Sequence, residues 1–237
     1  MDRVRNYSKE LEKKIEGFRK DGVRPSLLLH ACCAPCSSYC LEYLREDFEV
    51  TVFYYNPNIT DKKEYEHRKS EEKRLIKDYN EEVERQDFTG MHSTKRAARI
   101  GILDADYDPE NWLQSVHGLE TCPEGGERCG VCFSMRLRKT AEAARSHGFS
   151  YFATTLTISP LKDAKRINDI GETVGRELGI SYLPTDFKKK NGYQRSIELS
   201  GMYGLYRQNY CGCAFSKKES EEKRALKERT QTNALSD

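Results

Sequence analysis

The sequence predicts an α/β domain in which helices flank a mostly parallel sheet. Strand-like and helix-like segments alternate repeatedly along the chain, which is typical of parallel α/β folds. The segment FEVTVFYYNPN, residues 48–58, has apolar side chains at both even and odd positions, as in a strand buried on both faces. With 237 residues, the chain is long enough for one sizeable core.

Hydrophobic periodicity and helix-ending residues place each element. Ser37 or Ser38 is expected to cap the helix that follows the first strand. In chain order we predict a helix over residues 1–25, a strand over 26–29, a helix to about 47, a strand over 48–58, a helix over 61–80, a helix closed by Gly148, a strand over 151–159, a helix closed by Gly179 and a strand over 180–187.

Three segments are expected in the domain organisation. Residues 1–25 form an N-terminal helical extension, and residues 26–216 form the α/β domain, of the Rossmann-like (HUP) kind. Residues 217–237 form a charged tail with few apolar anchors, expected to be a frayed helix or disordered.

Composition restricts the classes of function. The 40 basic and 38 acidic residues leave a net charge of +2, which neither requires nor excludes a nucleic-acid partner. No stretch approaches the roughly 20 apolar residues of a membrane span, and the N-terminus lacks the apolar core of a secretory signal. We therefore expect a cytoplasmic protein without a membrane partner. Its nine cysteines then favour metal or redox chemistry over structural disulfides.

The first cysteine cluster is HACCAPC, residues 30–36, directly after the first predicted strand. Ligands of open parallel sheets bind at the carboxyl ends of the strands, so we expect a metal site there. The N-terminus of the next helix would favour thiolates. Nucleotide-binding proteins of this architecture carry a glycine-rich phosphate loop at the same point. This segment has no glycine, which disfavours an ATP-dependent enzyme.

Two further clusters follow. Cys129 and Cys132 form a Cys-x-x-Cys, a chelating unit shared by zinc sites, iron–sulfur sites and thioredoxin-like dithiols. Cys211 and Cys213 form a Cys-x-Cys, which can close a small, strained and labile disulfide. The intervening Gly212 permits the tight backbone that such a ring requires.

The pairs Cys32–Cys33 and Cys129–Cys132 can together supply four thiolates, for zinc or for an iron–sulfur cluster. Directly adjacent cysteines fit poorly onto one tetrahedral zinc ion but can bind different irons of a four-iron cluster. The pattern favours the cluster, with zinc as the open alternative.

Five ordered motifs resemble the cobalamin-independent epoxyqueuosine reductases: LHACCAPCS, FYYNPNI, RCGVCFSMRLRKTAEAA, FATTLTISP and YRQNYCGCAFS, from about Leu27 to Ser216. The resemblance implies reduction of epoxyqueuosine to queuosine at the wobble position of tRNA, the last step of queuosine biosynthesis. It also implies a [4Fe-4S] cluster, a second mononuclear iron and an external electron donor.

Carried onto this sequence, the resemblance assigns roles to the cysteines. The implied cluster ligands are Cys32, Cys33, Cys129 and Cys132. Cys211 and Cys213 correspond to the redox-active disulfide of the family. Cys36 stands where some members have aspartate, and either side chain could bind the second iron.

A wobble nucleotide must be splayed into a pocket, stacked on aromatic rings and read at its edges. The residues expected to bind it are Tyr55, Asn56, Asn58, Thr155, Ser159, Arg207 and Tyr210. Core packing is the alternative for the tyrosines, and turn formation around Pro57 for the asparagines. His30 is open as a proton donor or a structural residue.

Two other functions stay open. A heterodisulfide-type iron–sulfur reductase shares the cysteine pattern but usually has glycine after the adjacent pair, where this chain has Ala34. A zinc-stabilised RNA-binding module would leave Cys211 and Cys213 without a role.

Overall fold

The computed structural model describes residues 5–88 and 96–234, with side chains as far as Leu226. Five strands and eight α-helices are seen in these residues: α1 (Tyr7–Asp21), β1 (Ser26–His30), α2 (Ala34–Leu44), β2 (Glu49–Phe53), α3 (Lys62–Arg85), β3 (Gly101–Leu103), α4 (Pro109–Ser115), α5 (Glu127–Ser146), β4 (Tyr151–Thr154), α6 (Ala164–Leu178), β5 (Ser181–Tyr182), α7 (Gly192–Met202) and α8 (Ala214–Ala234).

The strands form one parallel sheet in the order β3-β2-β1-β4-β5, which confirms the predicted α/β class. Strand β1 lies at its centre and is buried on both faces. Leu27 and Leu29 pack on the side that holds α1, α2 and α3, whereas Leu28 packs on the side that holds α5 and α6. The carboxyl ends of β1, β2 and β4 consequently meet at one edge of the sheet.

Helix α2 begins earlier than predicted, and the expected caps are wrong. Cys33 is the N-cap, and Pro35 lies in the first turn, where its fixed φ favours helix initiation. Ser37 and Ser38 lie inside the helix, with hydroxyls that donate to the carbonyls of Cys33 and Pro35 at 3.1 and 3.0 Å. The cysteine cluster therefore forms the beginning of the helix itself.

Other boundaries also differ from the prediction. The strand predicted over 151–159 ends at Thr154 and continues as a 3-10 helix over Thr155–Ile158. Strand β3 and helices α4 and α7 were not predicted. Strand β3 and helix α4 have three and seven residues, too few for a periodic pattern. Helix α1 ends at Asp21, with Gly22 in the left-handed region, before Pro25 is reached.

Both terminal helices contact the central domain. Leu11 and Ile15 of α1 belong to the same apolar cluster as Leu27 of β1. Glu219 of α8 pairs with the buried Arg128 of α5 at 3.2 Å. The division of the chain at residues 25 and 216 stays a prediction. None of the helices in the described ranges combines the length and apolar composition needed to cross a bilayer.

The contact between α6 and the sheet predicts a difference between two helical glycines. A Cβ at Gly175 would lie 2.7 Å from the carbonyl oxygen of Ile180, whereas a Cβ at Gly201 of α7 would meet nothing within 4 Å. We expect Gly175→Ala to lower the free energy of unfolding by about 1–3 kcal/mol. The matched Gly201→Ala should raise it by about 0.5–1 kcal/mol. Urea denaturation measures both, and equal effects would contradict this packing.

Candidate active site

Three thiols lie together where β1 ends and α2 begins. The sulfur atoms of Cys32, Cys33 and Cys36 lie within 4.8 Å of one another, and those of Cys32 and Cys33 are 3.8 Å apart. Cys33 is buried, and the other two are half-buried. Soft thiolates grouped in this way can hold a metal, at the edge of the sheet where the sequence predicted one.

The pKa values of these three thiols are shifted in different directions. Hydrogen bonds from Cys33 and Cys36 lower the pKa of Cys32 well below its usual range, and the cations of Lys162 and Arg136 lower it further, although burial opposes them. The contact with Cys32 raises the pKa of Cys33 to about 12 and raises that of Cys36 as well. Cys32 is therefore the most acidic thiol of the group and the first to form a thiolate.

The second pair of cysteines lies in the first turns of α5. Cys129 Sγ accepts a hydrogen bond from the backbone N–H of Gly125 at 3.2 Å, and Cys132 is buried against Trp112. Burial is the main cause that raises the pKa of both thiols, and the charge of Cys211 raises both further. The Cys-x-Cys segment thus lies close to this pair.

The Cys-x-Cys segment bends sharply at Gly212. Its φ of +124° favours glycine, and a Cβ there would lie 2.8 Å from Ile59 Cγ1. Arg68 donates from Nη1 to the carbonyl oxygen of Cys211 at 3.2 Å. Cys211 and Cys213 are both free thiols.

Ser216, in the first turn of α8, fixes this segment from the other side. Its hydroxyl accepts from the backbone N–H of Cys211 at 3.0 Å, and its own N–H donates to Cys213 Sγ at 3.3 Å. Burial raises the pKa of Cys213 to about 12, so this thiol keeps its proton at neutral pH.

A cavity of about 260 Å³ joins the first and third cysteine segments, and its lining includes Cys32, Cys36 and Cys211. Three cations, Arg136, Lys162 and Arg207, also line it. Burial opposes the charge of Lys162, but the nearby sulfurs of Cys211, Cys32 and Cys36 raise its pKa. The cavity therefore combines thiols with fixed positive charge.

Arg136 is buried and donates hydrogen bonds to His30 and Asn56. Its Nε donates to His30 Nε2 at 3.1 Å, and its Nη2 donates to Asn56 Oδ1. His30 Nε2 also lies 3.1 Å from the carbonyl oxygen of Tyr55, and His30 Nδ1 lies 2.9 Å from Thr154 Oγ1. Burial, and then the charge of Arg136, lower the pKa of His30 to about 3. His30 is thus a neutral residue that orients Arg136, the structural one of its two open roles.

The structure divides the seven residues expected to bind substrate into two groups. Three line the cavity, namely Ser159, Arg207 and Tyr210. Four are buried behind its wall, namely Tyr55, Asn56, Asn58 and Thr155. The cavity-lining residues that sequence reasoning did not select include Glu124, Arg136, Lys162 and Asn209.

The buried residues support the cavity wall. Asn56 donates from Nδ2 to the carbonyl oxygen of Ala31 at 2.9 Å, beside the cysteine cluster. The Thr155 hydroxyl accepts from Cys32 N at 3.4 Å and lies 3.5 Å from its sulfur. Tyr55 stacks on Phe53, with ring centroids 6.2 Å apart. Direct contact of these residues with a substrate stays a prediction.

The surroundings of Cys33 fit an iron–sulfur group. Tyr54 OH and Arg68 Nη2 are buried and have no hydrogen-bond partner among the described residues. Both side chains lie near Cys33, since its negative charge is among the causes that raise their pKa values. Sulfides held by the cysteines would accept hydrogen bonds from such donors, as they commonly do around clusters.

Comparison with known proteins agrees with this chemistry. Residues 27–219 match the family model of epoxyqueuosine reductase QueH. The chain belongs to the QueH family. The epoxyqueuosine reductase QueH of Streptococcus pyogenes serotype M1 is 44% identical over 213 residues, which cover 90% of this chain and 78% of that protein. The QueH of Thermotoga maritima is 34% identical, with 84% of this chain and 94% of that protein covered.

Membership of the QueH family confirms the resemblance drawn from the five motifs. It makes the protein an enzyme of the oxidoreductase class. It also favours a QueH-type reductase over the heterodisulfide reductase and the zinc-stabilised RNA-binding module. The identities of the metal group and of its ligands are taken up below as proposals.

The thiol pKa values predict the order of alkylation in metal-free protein. Cys32 and Cys129 are both half-buried, but the pKa of Cys32 is lowered and that of Cys129 is raised. Because thiolates are the nucleophiles, iodoacetamide at about pH 8 should modify Cys32 first. Raising the pH should accelerate the reaction of Cys129 more than that of Cys32. Peptide mass spectrometry after a short pulse measures both rates, and earlier labelling of Cys129 would contradict the assignment.

Proposed function

We propose that the protein reduces epoxyqueuosine to queuosine at the wobble position of tRNA, the last step of queuosine biosynthesis. The observation that carries this proposal is the cavity that brings Cys32, Cys36 and Cys211 together beside the cations of Arg136 and Lys162. Family membership over residues 27–219 supports the substrate. The enzyme would act in the cytoplasm, where its tRNA substrate is found, and would draw electrons from a small external carrier.

Four cysteines, Cys32, Cys33, Cys129 and Cys132, would hold the [4Fe-4S] cluster. The close group of three thiols supports the first half of this ligand set, and the position of the α5 pair near Cys211 supports the second. Cys36 would bind the second iron. When bound, these groups supply single electrons and a Lewis acid.

Oxidation of the dithiol would supply the electrons and protons that the reduction consumes. Conversion of an epoxide to an alkene takes up two electrons and two protons and releases water. Closing a disulfide between Cys211 and Cys213 releases two electrons and two protons, and the external carrier would then reduce it again. The proton held on Cys213 at neutral pH is consistent with this role.

Arg136 and Lys162 would act on the oxygen of the substrate. As the C–O bond breaks, negative charge develops on this oxygen, and fixed cations in a poorly solvated cavity stabilise such charge. Arg136 is held in place by His30 and Asn56, so little reorganisation is needed during the reaction.

The proposal is tested in a bacterium that lacks its own epoxyqueuosine reductase, with digested tRNA analysed by mass spectrometry. We expect queuosine with the wild type and with Cys40→Ala, and epoxyqueuosine with Cys33→Ala. Cys40 is the matched control, since it is buried in helix α2, which Cys33 caps, and does not belong to the group of three thiols. Persistence of epoxyqueuosine with soluble wild-type protein would contradict the proposed reaction.

Cys213→Ser in the same assay separates the dithiol from the metal site. The variant should retain the iron content of the wild type, because it keeps all the proposed ligands, but its queuosine yield should fall at least about tenfold. Normal turnover by this variant would show that the Cys-x-Cys has no redox role.

A further inference from the structure

One carboxylate of the cavity has no role in the reduction. Glu124 lines the same cavity as Cys32 and Cys211, and is half-buried in the loop before α5. Among the described residues that line this cavity, Glu124 is the only carboxylate. No ion pair joins it to a cation of the described chain. No cation of the described residues therefore neutralises its charge.

The position of Glu124 is fixed by the segment that carries the dithiol. Ser216 donates from its hydroxyl to Glu124 Oε2 at 3.3 Å, while the same hydroxyl accepts from the backbone N–H of Cys211. The backbone N–H of Glu124 donates to Glu219 Oε2 at 3.3 Å. The carboxylate is thus held at a set place relative to Cys211, and the structure gives Oε1 no hydrogen bond.

The other polar residues of the cavity offer different chemistry. Arg136, Lys162 and Arg207 are donors only, and the amides of Gln208 and Asn209 provide one acceptor oxygen each. A carboxylate alone presents two parallel acceptors on one planar group. Its match is a planar ligand with two adjacent N–H donors.

We propose that Glu124 reads the guanine edge of the wobble nucleotide, accepting from N1–H and from the 2-amino group. This inference rests on the proposed function and adds a specificity-determining residue to it. The 7-deazaguanine of epoxyqueuosine presents these two donors side by side on its Watson–Crick edge. Adenine presents an acceptor at N1, which would face the carboxylate oxygens, and hypoxanthine lacks the 2-amino group.

The geometry places recognition and reduction in one cavity. A base held at Glu124 directs the substituent on its five-membered ring away from the Watson–Crick edge. That substituent carries the epoxide and must reach the thiols and cations of the same cavity. Splaying the nucleotide out of the anticodon loop exposes this edge for recognition.

Binding of labelled anticodon stem–loop RNAs tests the inference directly. Two RNAs carry guanosine or inosine at the wobble position and differ only in the 2-amino group. Fluorescence anisotropy with metal-loaded wild type should show roughly tenfold tighter binding of the guanosine RNA. Glu124→Gln should lose most of this preference. Its amide oxygen still accepts from Ser216, so the loop should keep its structure.

Glu127→Gln is the matched control, because Glu127 is exposed, lies three residues further along and does not line the cavity. It should keep the wild-type preference. On epoxyqueuosine tRNA, Glu124→Gln should raise KM with little change in kcat and with wild-type iron content. A structural role would instead lower iron content or thermal stability.

Conversion of epoxyqueuosine tRNA by the same preparations separates the two hypotheses. Wild type that converts the substrate but binds both RNAs equally overturns the guanine-edge site alone. Retention of the preference by Glu124→Gln overturns it as well. Wild type that prefers the guanosine RNA but converts nothing supports the site and overturns the proposed reaction.

Discussion

The buried cation of Arg136 is the interaction on which the arrangement of this site depends. A buried charge is costly unless it is compensated, and no carboxylate pairs with Arg136 among the described residues. Its compensation comes from sulfur, since Cys132, Cys211 and Cys32, from three separate segments, all favour its charged form. The three cysteine segments and the guanidinium therefore stabilise one another, and a metal group held by thiolates would strengthen this compensation.

Convergence of these segments follows from the topology of the sheet. The Cys32–Cys36 segment follows the central strand β1, and the 3-10 helix at the cavity follows its neighbour β4. Parallel strands place such loops at one edge. The Cys-x-Cys segment comes from much later in the chain and is joined to this edge by Arg68 and Ser216. Sequence-distant residues are thereby held within one cavity.

The strand β1 and the cysteines after it were predictable, because an apolar run followed by a glycine-free turn is a local pattern. The N-cap of α2 was not predictable, because the helix begins next to Pro35, before the two serines are reached. Arg136 follows Cys132 by one helical turn, a spacing that could have indicated their contact. Lys162 and Glu124 were missed because long-range packing, rather than their sequence neighbours, brings them to the cavity.

Iron and acid-labile sulfide in anaerobically purified protein test the central claim, that cysteines from separate segments form one metal site. We expect about five irons for four sulfides, from one four-iron cluster and one further iron. Cys33→Ala and Cys129→Ala should each remove the sulfide, although the two residues lie on different helices. Zinc without sulfide, or sulfide content unchanged in Cys129→Ala, would contradict the account.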